Sequence, residues 1–292
     1  MSCYKYWGKI EEIADKLSNF GNLDDDMGAL DDVAIDEVIE ILDEVEVIAH
    51  DKTIDFDSAK HILDNEKMNR ALKLIRKFYV YVGARLEMEN ALKILNSDNP
   101  REVLDSFHFY ERYIGLINNE SKLAKFNDEK TFLFLGSGPL PLTLIMFNEV
   151  FGCKCIGIEQ QEDVAQLSRK VLKKLNLDDD IKIVIGNENT IADLDYDILH
   201  INTIYPDSIS MIKQARENNK EIIYHAHSTE EDFKNSFMFS NTFAGLYKKW
   251  LVYLYNSADV IITPTPYSKN LLESYDLNKE IYAISNGVDV AQ

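Results

Sequence analysis

Two glycines and a distant glutamate carry the most legible chemistry in this chain. Gly136 and Gly138 stand two apart in FLGSGPLPLT, and Glu159 follows Gly138 by 21 residues. Glycine lets the backbone turn sharply and approach a ligand with no Cβ in the way. An acid at that distance accepts hydrogen bonds from the two hydroxyls of a ribose. Pro139 and Pro141 stand where helix-opening residues would otherwise offer N–H groups to a pyrophosphate. That loss of donors argues against a phosphate ligand, and a nucleoside without phosphate, such as S-adenosylmethionine, fits better. The glycines alone fit an ordinary crossover turn equally well; the distance to the acid favours the nucleoside.

These residues need elements to hold them. Thr131–Leu135 is an apolar run of strand length, Leu142–Phe151 reads as a helix, and Cys153–Ile158 reads as a second strand ending at Glu159. Proline is tolerated at a helix start, where no backbone donor is needed. Upstream, SFHFYERY (Ser106–Tyr113) packs five aromatic or imidazole side chains into eight residues. It reads either as a core cluster or as a ligand wall, with Tyr110 and Tyr113 giving hydroxyls and Arg112 a fork for a carboxylate. Before it, apolar residues recur at helical spacing from Met68 to Leu95, with an interruption expected near Gly83. Glu87 lies at the edge of that stripe. A short helix, Ala59–Leu63, is expected to be capped by Asp57 or Ser58, and a further helix to cover Cys3–Asn19.

Composition limits the function classes. The chain has 292 residues, 46% of them hydrophobic, so it has enough apolar residues for a sizeable core. Its net charge of −19 disfavours nucleic acid, which needs a basic footprint. No run of 18 apolar residues predicts a transmembrane helix, and the N-terminus lacks a signal-peptide core, so a cytoplasmic protein is expected. Asn22–Glu46 holds eleven acids and no base, and a solvated face is favoured there over a cation site. Cys3, Cys153 and Cys155 give no disulfide framework. The last two read as buried thiols on one side of a strand; no metal ligands and no tightly bound cofactor are expected.

Several phrases together carry a resemblance. AHDKTIDFDSAKHIL, LIRKFYVYVGARLEMENA, SFHFYERY and FLGSGPLPLT resemble the nicotianamine synthase family, closely its archaeal members, over about residues 1–191. The resemblance implies a helical N-terminal domain on a Rossmann-like, methyltransferase-type domain. It implies transfer of the aminocarboxypropyl group of S-adenosylmethionine to an amine, with methylthioadenosine leaving and a metal-chelating, nicotianamine-like metallophore as product. By motif position Glu87 and Tyr113 match the catalytic and substrate-contact positions. Gly136, Gly138 and Pro139 match the nucleoside turn, and Glu159 matches the ribose acid. Asn187 falls where an aspartate usually contacts the adenine amine; asparagine still accepts that bond. A carboxylate such as Glu87 orients an α-amine and takes its proton. The sulfonium leaves as a neutral thioether and needs no acid.

After Ile191–Tyr196 the sequence changes allegiance. Strands are expected at Leu194–Asn202, Glu221–His227 and Val260–Thr263, and helices at Pro206–Asn218, Phe243–Tyr255 and Ser268–Tyr275. YDILHINTI, IIYHAHSTEEDFKNSF, SADVIITPTPYSKNLLESY and ISNGVDV resemble family-4 GT-B glycosyltransferases, near those that glycosylate diacylglycerol, over about 195–292. That resemblance implies sugar transfer, with His227 at the acceptor-side histidine; His225 and His227 also read simply as caps of a sheet. Phe243–Tyr255 has the composition to rest on a membrane surface, but a core helix with snorkelling lysines is favoured. No Glu-x7-Glu donor motif is present, so a glycosyltransferase-like acceptor-side module is expected to be inactive by itself. The chain reads as a junction of two reading frames or genes.

The expected fold is therefore α/β: a helical N-terminal domain (1–125), a Rossmann-like S-adenosylmethionine-binding part (126–194), and an α/β glycosyltransferase-like fragment (195–292). Both resembled families carry Rossmann-like sheets, so the strands after the junction are able to complete the first sheet. The expected partners are small molecules, S-adenosylmethionine and an amino-acid acceptor. The oligomeric state is left open.

Overall fold

The computed structural model describes residues 2–21, 30, 32–49, 51, 55–120, 127–202, 208–227 and 240–284. The expected acidic loop at 22–29, the EEDFKNSF stretch and the SNGVDV terminus lie outside these residues. The described residues form two compact units, one up to Leu86 and one from Glu87 onward.

The first unit is helical. Helices α1 (Ser2–Ser18), α2 (Asp32–Ala49), α3 (Phe56–Asp64) and the first part of α4 (Glu66–Asn96) enclose a core. Ile10, Ile13 and Leu17 of α1 meet Val38 and Leu42 of α2, with Met68, Ile75 and Phe78 of α4 beside them. Each set recurs at three-, four- or seven-residue spacing, so each helix turns one apolar stripe inward. The cap of α3 is Asp55, not Asp57 or Ser58: its carboxylate accepts the Ser58 N–H at 2.8 Å. Helix α4 runs through Gly83 without interruption. A mid-helix glycine costs about 1 kcal/mol, and buried Phe78, Tyr81 and Val82 beside it offset that.

The second unit is a parallel sheet with helices. It contains the end of α4, α5 (Pro100–Asp105) and α6 (Tyr110–Glu120), followed by alternating strands and helices. The strands are β1 (Thr131–Leu135), β2 (Lys154–Glu159), β3 (Ile181–Ile185), β4 (Ile198–Ile201), β5 (Glu221–His225), β6 (Val260–Thr263) and β7 (Ile281–Ala283). They form one seven-stranded sheet in the order β3-β2-β1-β4-β5-β6-β7, parallel at every pairing. Strands covered on both faces read as continuous apolar runs, as TFLFL does.

The sheet crosses the sequence junction without a break. β4 lies beside β1, with Phe132 paired to Ile198 and Phe134 to His200. Asp197 fixes that start: its carboxylate accepts the Thr131 N–H at 2.8 Å and its N–H donates to Thr131 at 2.9 Å. Lys130 reaches Glu221 at the start of β5 at 2.8 Å. The strand expected at Leu194–Asn202 spans only Ile198–Ile201, and a 3-10 helix, Glu188–Asp193, lies upstream of it. The helix Ser240–Asn256 turns Leu251, Leu254 and Tyr255 into the core. No helix among the described residues is long and apolar enough to cross a membrane.

Candidate functional site

The strand order reverses between β1 and β4, and in open parallel sheets ligands bind beyond the carboxyl ends of the strands at that point. The glycine bend leaves β1 there. Gly136 and Gly138 adopt φ of +81° and +66°, the left-handed region that glycine enters without strain. The N–H of Gly136 donates to Ile158 of β2 at 2.8 Å, so the bend is stitched to the neighbouring strand. Pro141 caps α7 (Leu142–Phe151), which has no side-chain cap bond. α7 settles closely on the sheet because Gly157 of β2 lacks a Cβ: one would lie 2.6 Å from Leu144 and 2.8 Å from Ser137.

Glu159 ends β2 and is almost fully buried. One carboxylate oxygen accepts the Gly138 N–H at 3.1 Å, and the other accepts the Gln161 N–H at 3.0 Å. The acid therefore touches the bend it follows by 21 residues.

Glu87 arrives from the end of α4. A Cβ built on Gly138 would lie 3.2 Å from Glu87 Oε2, so the carboxylate faces the bend across the space a side chain there would fill. Burial pushes the Glu87 carboxyl up to about 7. Tyr113, on the first turn of α6, is close enough to feel it. Burial drives the Tyr113 hydroxyl well above its ordinary value, the Glu87 charge pushes it further, and Arg112 pulls back. Glu87, Tyr113, Gly138 and Glu159 thus gather at one end of the sheet.

Other expected residues sit differently. The Tyr110 hydroxyl accepts from Arg101 Nη2 at 2.6 Å, and Arg101 in turn forks onto Glu149 of α7. This ties α5, α6 and α7 together. The Arg112 guanidinium lies 5.7 Å from the Phe109 ring. Asn187 caps the 3-10 helix, its side chain accepting from the Asn189 N–H at 3.0 Å while Thr190 accepts from the Asn187 N–H. Pro139 is part of the bend. His227, exposed just past β5, stacks on His225 with ring centroids 4.2 Å apart. The thiols of Cys153 and Cys155 are buried, 3.9 Å apart.

Two polar groups escaped the sequence reading. Among the described residues, buried Asn90 Oδ1 and Ser137 Oγ have no hydrogen-bond partner. Asn90 follows Glu87 by three residues, so both project from the same face of α4. That spacing is the signal that would have found it. Ser137 is the middle residue of the bend, between the two glycines.

Comparison with known proteins places this arrangement. The profile described as "Nicotianamine synthase protein" matches residues 8–227. The chain belongs to the nicotianamine synthase family. A glutamate-to-glutamine variant of the nicotianamine synthase MtNAS, solved with S-adenosylmethionine, is 40% identical. That match covers 75% of this chain and 81% of MtNAS, with a TM-score of 0.64. MtNAS solved with MTA and tNA is 41% identical over the same shares, also with a TM-score of 0.64. A second profile, "Glycosyltransferase Family 4", matches residues 164–292 and overlaps the nicotianamine synthase match from 164 to 227. The processive diacylglycerol alpha-glucosyltransferase of Acholeplasma laidlawii is 39% identical over 108 residues, 36% of this chain. The matched part is 31% of that enzyme's length. The overlap has a structural counterpart: β4 and β5 lie inside it and continue the nicotianamine synthase sheet.

Proposed function

We propose that this chain is an aminocarboxypropyltransferase of nicotianamine synthase type. It transfers the aminocarboxypropyl group of S-adenosylmethionine to the amine of an amino-acid acceptor and builds a nicotianamine-like metal chelator. The observation that carries this reading is the Glu87 carboxyl facing the glycine bend, where burial raises it to about 7. The MtNAS structures, with S-adenosylmethionine and with MTA, which we read as methylthioadenosine, support it.

In this reading Gly136, Gly138 and Pro139 shape the nucleoside seat, and Glu159 holds the ribose. Asn187 borders the adenine. The acceptor amine attacks the carbon bonded to the sulfonium sulfur, the carbon–sulfur bond breaks, and methylthioadenosine leaves as a neutral thioether. The new secondary ammonium gives its proton to Glu87. A sulfonium beside Glu87 stabilises the carboxylate, so binding of the substrate prepares the base. Tyr113 keeps its proton and donates a hydrogen bond to acceptor or substrate. Incubation with S-adenosylmethionine and candidate amino acids, followed by mass spectrometry, is expected to show methylthioadenosine and an aminocarboxypropylated acceptor. Neither product, with no calorimetric binding of S-adenosylmethionine, overturns the proposal.

The match to the glucosyltransferase favours a second reading, an acceptor-side module for sugar transfer with His227 at the acceptor. Glucose transfer from a UDP-sugar to diacylglycerol, lost in His227→Ala, would support it; its absence in the intact chain would remove it.

A further inference from the structure

Three ionisable side chains from distant parts of the second unit converge in its interior. Glu120 is the last residue of α6, His200 lies in β4 and His225 ends β5. The register pairs His200 with Ile223, so His225, two residues on, faces the same side of the sheet. The two imidazole centroids are 6.3 Å apart. The Glu120 carboxylate lies 3.5 Å from His200 Nε2 and 3.7 Å from His225 Nδ1.

These distances are too long for hydrogen bonds. One donor atom from each residue lies within 4.8 Å of the others. A metal held at about 2.1 Å by tetrahedral ligands spaces those ligands about 3.3–3.5 Å apart, close to the 3.5 Å from Glu120 Oε2 to His200 Nε2 and the 3.7 Å from Glu120 Oε1 to His225 Nδ1. The residues are 2%, 3% and 4% exposed. Among the described residues, Glu120 Oε2, both nitrogens of His200 and His225 Nε2 have no hydrogen-bond partner. Such orphaned groups are costly in a dry interior. Phe132, Phe134 and Phe147 ring His200, and His227 stacks on His225.

We propose that Glu120, His200 and His225 form a binding site for one divalent transition-metal ion, zinc or a metal of similar preference. Two imidazoles and a carboxylate are a donor set used by such ions. The ion supplies positive charge beside the buried Glu120 carboxyl and takes one donor atom from each residue, which gives Glu120 Oε2 and one orphaned nitrogen of His200 a partner. Three protein donors leave a fourth position for water or a further ligand. The site clamps the end of α6, the helix that carries Tyr113, onto β4 and β5.

The test uses the intact chain, stripped with a chelator, dialysed without S-adenosylmethionine and reloaded at moderate salt. Zinc is counted by elemental analysis after gel filtration, and cobalt is followed by its visible absorption. We expect one tightly held equivalent, with binding at least tenfold weaker in Glu120→Gln, His200→Gln and His225→Gln but retained in His108→Gln. Loading should also raise the Tm of the parent chain and not of those three variants. Substoichiometric binding by the parent chain, or equal binding by all three variants, overturns the proposal. If the variants do not fold, anomalous diffraction at the zinc edge from the loaded parent chain decides. A peak among the three side chains supports the site, and its absence there refutes it.

Discussion

Gly138 faces Glu87: any side chain at 138 would bring its Cβ to 3.2 Å from the Glu87 carboxylate. The two residues are 51 positions apart, and this juxtaposition sets the bend after β1 beside the end of α4. Two costs therefore fall together on Gly138→Ala. The residue sits at φ +66°, where alanine is strained by about 1–2 kcal/mol, and the new methyl crowds Oε2. We expect a fall in Tm and at least a tenfold loss of kcat/KM for methylthioadenosine release. A full-rate Gly138→Ala enzyme would show that the bend and the carboxylate do not act together.

Glu87 should set both the pH profile and part of the pH-dependent stability. Its carboxyl is raised from 4.5 to about 7 by burial. In the free protein the Glu87 carboxylate appears as pH rises through about 7, so, if it is the base proposed above, kcat/KM should rise with it. Glu87→Gln should lower the rate by about 100-fold or more and abolish that limb. For stability the sign is opposite. A raised folded-state pKa means that the folded state holds the proton longer, so stability is full below about 4.5 and declines as pH rises to about 7. Glu87→Gln should match the parent chain in unfolding free energy at pH 4 and exceed it at pH 8 by about 1–3 kcal/mol. A flat difference between pH 4 and pH 8 would show that Glu87 is not buried in this way.

Glu159→Gln tests the proposed ribose seat. Both carboxylate oxygens accept backbone N–H groups, at 3.1 Å from Gly138 and 3.0 Å from Gln161. An amide keeps the shape but offers one acceptor atom in place of two, which costs about 1–3 kcal/mol. Calorimetry should show S-adenosylmethionine binding weakened tenfold or more, with a lower Tm. Unchanged affinity would remove Glu159 from the nucleoside site.

Cutting the chain after Leu194 tests whether the residues beyond the junction are structural. β1 is flanked by β4, so such a cut leaves β1 as a bare sheet edge next to buried Phe132 and Phe134. An exposed apolar edge aggregates. The 1–194 fragment is expected in the insoluble fraction, or as oligomers by light scattering. A monomeric, cooperatively melting fragment would show that β4 to β7 are dispensable.

Short-range order was legible in the sequence because periodicity and turn residues act over a few positions. TFLFL ends at Leu135 and α7 covers Leu142–Phe151, as their apolar pattern predicts. The 21-residue interval from Gly138 to Glu159 already placed that acid beside the bend, since one strand–turn–helix–strand unit connects them. Asp55 was missed as a cap because the first turn of α3 offers Asp55, Asp57 and Ser58 in close succession, and only the backbone geometry selects among them.

The packing of distant segments decided the rest. Nothing local to Glu87 announces the glycine bend; α4 must be folded against the sheet before the carboxylate loses its water and its pKa moves. Nothing local joins Glu120 to His200 and His225, which lie 80 and 105 residues further along the chain. The junction near Ile191–Tyr196 reads as a break in sequence, yet β4 pairs with β1 as directly as β2 does. Backbone hydrogen bonding and apolar burial are indifferent to the ancestry of a strand, so the sheet closes over the seam. Composition and spacing determined which pieces the chain owns; tertiary contacts determined which of them share a site.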